Sequence, residues 1–328
     1  MSIAVDVTRK DDVQAITWPL LAILASAVIS AGLSGVNGMG LVYYVGYVLV
    51  YLVARRVPQA PLYLARWGGY AVAAVVIAQG LQGGRPWNPN IMANYLLLAL
   101  PFGHAAGMGW WVIGFYALYL TGSRGAWLAF VLAAVTLYNF RIDDNGRLRS
   151  RLAWYYVAGL LLGVVVLAVA LVALRPRSVI GVRLPEYLAA ARAFWAAPLW
   201  GSGPWSNRVD NLPLTVAAEH GLLGLAAWAW LVAAVMRRVL STRGNPARLA
   251  VTAWLYHQLF DNTMWWFSAT AMTISMIVLL YSPVAEVAEI EEGESDARSA
   301  EGVSRSDGVG SPAGVGGILS AGDGEVTG

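Results

Sequence analysis

Residues 108–140 read MGWWVIGFYALYLTGSRGAWLAFVLAAVTLYNF, a nearly unbroken apolar stretch whose one charge is Arg124. Hydrocarbon about 30 Å thick selects runs of this kind, and chains that cross it satisfy their backbone groups as helices. The break at Thr121-Gly122-Ser123 divides the stretch into two spans and sets Arg124 at the start of the second. Desolvating a guanidinium in or beside a bilayer costs several kcal/mol, so an ionisable residue there is by default functional. Arg124 therefore calls for an anionic ligand. Its structural alternative is to snorkel to the interface or to cap a neighbouring helix C-terminus.

The rest of the chain carries the same signal. Of 328 residues, 58% are hydrophobic and 12% charged, with mean hydropathy +0.58. Ordinary soluble domains carry roughly 25% charged residues. We read an all-α, polytopic helical membrane protein with ten spans, near 13–33, 38–54, 67–83, 91–104, 107–121, 122–140, 152–174, 212–236, 249–263 and 264–282. Residues 1–12 are a cytoplasmic N-terminal segment, 13–282 the transmembrane domain, and 283–328 a tail. The first span follows Arg9 to Asp12 and lacks a small-residue cleavage site, so it reads as retained. The tail holds ten of the nineteen acidic residues and has no apolar periodicity, which predicts disorder. There is no cysteine, and the three histidines (His104, His220, His257) lie too far apart for a zinc spacing. No metal, cofactor or nucleic-acid partner is expected.

Orientation follows from the basic residues. With the N-terminus inside, the cytoplasmic segments hold Arg9, Lys10, Arg55, Arg56, Arg66, Arg141, Arg147, Arg149, Arg151, Arg237, Arg238, Arg243, Arg248, Arg298 and Arg305. The outer side holds Arg85, Arg124, Arg175, Arg177, Arg183, Arg192 and Arg208. Fifteen against seven places both termini in the cytoplasm. Five of the outer arginines fall in one long loop, about 175–211, with only Glu186 and Asp210 as carboxylates and with Trp195, Trp200 and Trp205. Residues 184–197 read as an amphipathic helix lying on the outer surface. Arginine forks match phosphate oxygens in pairs, and indoles stack on sugar rings, so the loop suits a ligand that bears both.

Four segments in order resemble the O-antigen ligase and O-antigen polymerase superfamily of bacterial membrane glycosyltransferases. They are Trp87-Asn88-Pro89-Asn90-Ile91-Met92-Ala93, then Thr121-Gly122-Ser123-Arg124-Gly125-Ala126. The third runs from Arg183 through Pro198-Leu199-Trp200-Gly201-Ser202-Gly203 and Asn211 to Glu219-His220-Gly221-Leu222-Leu223-Gly224-Leu225. The last is His257-Gln258-Leu259-Phe260-Asp261. Together they cover about residues 85–265.

The resemblance implies metal-independent, inverting transfer of a glycan from an undecaprenyl-diphosphate donor, on the periplasmic face of the bacterial inner membrane. The acceptor is a hydroxyl of a second glycan, of lipid A core or of a protein, which leaves ligase, polymerase and protein O-glycosyltransferase open. Outside the superfamily, a transporter or flippase for lipid-linked glycans is the alternative. Membrane lipids are partners in either case. Arg124 and Arg183 are expected to hold the diphosphate. Asp210, which stands with Asn211 where the family has His-Asn, would activate or orient the acceptor, or else form a turn before Leu212-Pro213. Ser123, Asn211, Glu219, Arg208, Trp200 and Trp205 are candidate substrate-binding residues. Arg208 is also a candidate ion-pair partner for Asp210, and Glu219 for organising the arginines. Arg192, half a helical turn out of phase with Arg183, is expected at the interface. His220 and His257 are expected to be structural, and Asn88 and Asn90 to shape a turn.

Overall fold

The computed structural model describes residues 9–35, 39–57, 59–84, 86–102, 108–143, 147–150, 180–207, 209–242, 245–261 and 267–281. The chain divides into two compact units, Met1–Glu286 and Val287–Gly328, and all the described residues belong to the first. The seventh expected span, the expected disordered tail, His104 and Arg208 lie outside the described residues.

The described residues are mostly helical: α1 (Arg9–Ser34), α2 (Met39–Arg56), α3 (Gln59–Leu81), α4 (Pro89–Ala99), α5 (Met108–Thr121) and α6 (Arg124–Asn139). A short antiparallel hairpin follows, β1 (Phe140–Ile142) with β2 (Leu148–Ser150), pairing Arg141 with Arg149. Then come α7 (Ile180–Ala196), α8 (Leu212–Ser241), α9 (Ala247–His257) and α10 (Phe267–Leu280). Spans at 122–140 and 152–174 predict only a loop between them; the hairpin found there is closed by Asp143, which takes the Arg147 N–H at 2.8 Å and pairs with Arg149 Nε at 2.7 Å.

Helix starts follow from side-chain caps. Asn88 accepts the Ile91 N–H at 3.2 Å, and Pro89 occupies a first-turn position where a missing N–H costs nothing. Asn211 repeats the device for α8, accepting the Leu214 N–H at 3.0 Å ahead of Pro213. The Asn-Pro-Asn segment is thus a helix start, as expected.

Packing buries an apolar interior and leaves apolar stripes on the outside as well. Every side chain of residues 272–281 is buried, and an all-round apolar helix such as α10 belongs in an interior. Helices α4 and α9 join it there, with Leu96, Leu97, Leu98, Val251 and Ala253 fully covered. The surrounding helices turn apolar stripes outward: Val42, Val45, Leu49, Leu52 and Val53 on α2, and Val112, Ile113, Tyr116 and Tyr119 on α5. Contiguous exposed apolar surface of this kind marks contact with lipid or a partner. Gln14–Ser34, Leu62–Leu81 and Leu212–Ser241 are long and apolar enough to cross a membrane, while Met108–Thr121 is apolar but shorter. The 11-residue α4 rises only about 16 Å, half a hydrocarbon core, so it depends on its neighbours.

One helix is broken, which sequence reading missed. Gly221 in α8 has φ 62° and ψ −154°, a conformation essentially confined to glycine. The freed backbone groups are taken by the loop before α8. Ser202 N–H donates to Ala218 O at 2.9 Å and Gly203 N–H to Glu219 O at 3.1 Å. Leu222 N–H donates to Pro198 O at 2.8 Å and Leu223 N–H to Leu199 O at 3.2 Å. Residues 198–203 therefore splice into the gap, and the Pro-Leu-Trp-Gly-Ser-Gly segment is the partner of the Glu-His-Gly segment.

Candidate functional site

Thr121-Gly122-Ser123 builds the start of α6. Gly122 takes a left-handed φ of 67°, Thr121 Oγ1 donates to Leu118 O at 2.6 Å and accepts the Ser123 N–H at 3.2 Å. Ser123 is buried as the N-cap, its hydroxyl accepting the Ala126 N–H at 3.4 Å. Ser123 thus has a structural duty beside the expected substrate contact. Arg124 is the first helical residue and is exposed. Among the described residues, no carboxylate pairs with it. A cation at a helix N-terminus opposes the macrodipole. Arg124 therefore occupies a position where an anion, not a cation, is favoured, and an anion bound there would meet both the guanidinium and the first-turn N–H groups.

The last turn of α9 faces this point. An added Cβ on Gly125 would lie 3.0 Å from Phe260 Cβ and 3.8 Å from the His257 ring, so α6 begins directly against the Phe260 turn. A helix end leaves its final carbonyls without intrahelical donors. Here three successive carbonyls are claimed by the segment that runs from Arg183 to Leu212. Gln258 O accepts the Leu212 N–H at 3.0 Å, Leu259 O accepts Asn211 Nδ2–H at 2.9 Å, and Phe260 O accepts Arg183 Nη1–H at 3.1 Å. Asn211 is held at both ends of its amide, since its Oδ1 also caps α8.

Arg183 carries a second bond, from Nη2 to Asp210 Oδ2 at 3.2 Å. Their side chains are 32% and 47% exposed, and ion pairs this wet contribute only roughly 0.2–1 kcal/mol. The carbonyl bonds, rather than this pair, anchor the segment. The α8 cap is Asn211, and Asp210 pairs with Arg183; the expected pairing with Arg208 falls outside the described residues. Tyr187, one turn beyond Arg183, completes the group. Burial pushes its phenol up from the ordinary value, the Arg183 charge lowers it and Asp210 raises it. Spacing of four on a helix put Tyr187 beside Arg183, and that was the available signal for it. Ala190, Val209 and Ala218 pack as a small buried cluster that seats α7 on α8, while Arg192 is exposed.

A scan against protein-family models gives no match, and a search of curated proteins gives none.

The remaining candidates divide. Glu219 is buried at 1% exposure, and its Oε1 accepts the Asn207 N–H at 3.1 Å, so it fixes the outer loop. Its neighbour His220 is buried too, with Nε2 2.6 Å from Tyr44 Oη. Trp205 adopts a left-handed φ of 68° and lies against Tyr43, ring centroids 4.3 Å apart. It also abuts Gly40, where an added Cβ would sit 2.9 Å from the indole. One indole face is thereby occupied by α2, which makes Trp205 a packing residue of the loop. Trp200 is 38% exposed beside the Gly201 turn and keeps an open surface. The structure brings Arg183, Asp210 and Asn211 to the Phe260 turn, and Arg124 begins the helix that packs against that turn; Glu219 and Trp205 brace the outer loop.

Proposed function

We propose that this chain is a metal-independent, inverting membrane glycosyltransferase of the O-antigen ligase or polymerase type. It transfers a glycan from an undecaprenyl-diphosphate donor to an acceptor hydroxyl at the outer membrane face. The observation that carries the reading is the meeting of three motif segments at one turn: Gly125 against Phe260, and Arg183 and Asn211 bound to successive carbonyls of that turn. Arg183 and Asp210 lie at that turn and Arg124 begins the helix packed against it, which supports the three acting on one ligand.

In the proposed reaction the acceptor oxygen attacks the anomeric carbon. The bond from that carbon to the phosphate oxygen breaks, its electron pair stays on the diphosphate, and the hydroxyl proton passes to the Asp210 carboxylate. Arg124 and Arg183 stabilise the charge growing on the leaving group, the electrostatic task a divalent ion performs elsewhere. Arg183 is shared between Asp210 and the diphosphate, so donor arrival frees the carboxylate as it fills the guanidinium. The ten-span, both-termini-inside topology belongs to this proposal and rests on the arginine asymmetry.

Asp210→Asn tests the base. Transfer falls by roughly 10²–10⁴-fold while donor binding is kept, the range general-base removal covers. Full activity in that variant would take Asp210 out of the chemistry.

A further inference from the structure

About 45 Å along α8 from Leu212, at its other end, the structure has a second site. A cleft of about 560 Å³ opens there between the start of α1, the last turns of α8 and Tyr281, lined by Trp18, Trp230, Arg237, Arg238 and Ser241 among others, with no carboxylate among the described lining residues. Helix C-termini repel anions through their carbonyls, but two of the terminal carbonyls here are covered. Arg238 O accepts Thr242 Oγ1–H at 2.9 Å and Ser241 Oγ–H at 3.0 Å, and Val239 O accepts Arg248 Nε–H from α9 at 2.6 Å. Arg238 is held in place, donating to Leu280 O at 3.4 Å with its guanidinium 5.4 Å from the Tyr281 ring centre. Arg237 is exposed and pairs with no described carboxylate. The described lining thus carries two guanidiniums and two indoles, Trp18 at 60% and Trp230 at 52% exposure.

We propose that this cleft binds the phosphate headgroup of an anionic phospholipid. Guanidinium forks take phosphate oxygens in pairs, and indoles collect at the headgroup level of a bilayer. The walls are ends of α1 and α8, two of the helices long enough to cross a membrane, so acyl chains have apolar surface to follow away from the cleft. By the arginine asymmetry this end faces the cytoplasm, whose leaflet is anionic. The proposal rests on the membrane-spanning reading alone and is independent of glycosyl transfer.

The test is lipid retention by the full chain, purified in detergent and titrated with phosphatidylglycerol or phosphatidylcholine, read by native mass spectrometry. Phosphatidylglycerol is retained selectively. Arg237→Gln weakens it roughly fivefold and Arg237→Gln with Arg238→Gln roughly thirtyfold, from about 1 kcal/mol per basic residue near a charged surface. Arg238 also braces α10, so Arg237→Glu, at an exposed residue, is the variant that keeps the test independent of folding; it abolishes the selectivity. Equal retention of the two lipids, or phosphatidylglycerol binding unchanged in Arg237→Glu, would overturn the proposal. Equal retention with Arg237-dependent binding of inorganic phosphate would also overturn it, assigning the cleft to a soluble phosphate.

Discussion

Arg124→Ala loses transfer by roughly 10²–10³-fold, the cost of removing one preorganised stabiliser of a developing anion, and it unfolds at the same temperature as the parent or slightly higher. The combination follows from position. Arg124 begins α6 with its charge against the helix dipole, an arrangement that is unfavourable by ~0.3–1 kcal/mol. It is exposed and pairs with no described carboxylate, so the fold gains nothing visible from it. A snorkelling or capping arginine would behave in the opposite way, its removal lowering stability and sparing turnover. Arg124→Lys keeps the charge but not the paired donors, and it falls between parent and alanine. Thermal unfolding and transfer rate, measured on the same preparations, separate the two cases. A Lys variant with the parent's rate would remove the diphosphate clamp from the account.

Gly221→Ala is severely damaging, in a class with Gly201→Ala, whose Cβ would run into the Glu219 backbone. An added Cβ on Gly221 would lie 2.5 Å from Leu199 C and 2.6 Å from Leu199 O, both backbone atoms, and Gly221 holds φ 62° besides. Strain at such a residue costs on the order of 1–3 kcal/mol. Parting the two backbones also threatens the bonds that splice residues 198–203 into α8. The total is roughly 3–5 kcal/mol, at the severe end for point substitutions. Gly122→Ala is the control. It too has positive φ, 67°, but its Cβ would meet nothing within 4 Å, so only the left-handed penalty of about 1–2 kcal/mol applies. Thermal unfolding in detergent ranks them, and comparable losses in both would mean that conformation rather than backbone crowding governs Gly221.

Helix positions were legible because they rest on local signals. Asn88-Pro89 and Asn211-Leu212-Pro213 mark starts, Gly122 marks a stop, and apolar runs lie between them. Periodicity separates Arg183 from Arg192, since residues nine apart on a helix lie on opposite faces, and the resemblance rather than the spacing favours Arg183. What escaped is non-local. Nothing in Glu219-His220-Gly221 states that the helix breaks there, because the break is made viable by carbonyls of Pro198 and Leu199, some twenty residues earlier. The pairing of Asp210 with Arg183, which comes from a separate helix, has no signal among its neighbours in sequence. Trp205 looked free for sugar because an indole in an outer loop reads the same whether or not a Tyr43 lies against it. The terminal carbonyls of α9, which gather the site, have no side-chain signature.

The central claim is that the spot around Phe260 performs metal-independent transfer from a lipid diphosphate. The most direct measurement is turnover of an undecaprenyl-diphosphate glycan by the purified chain in nanodiscs with EDTA, reading released lipid diphosphate and glycan joined to acceptor. The account predicts transfer that survives chelation and is lost in Arg124→Ala. Turnover abolished by EDTA, or intact donor binding with no transfer to any glycan, lipid or protein acceptor, would contradict it.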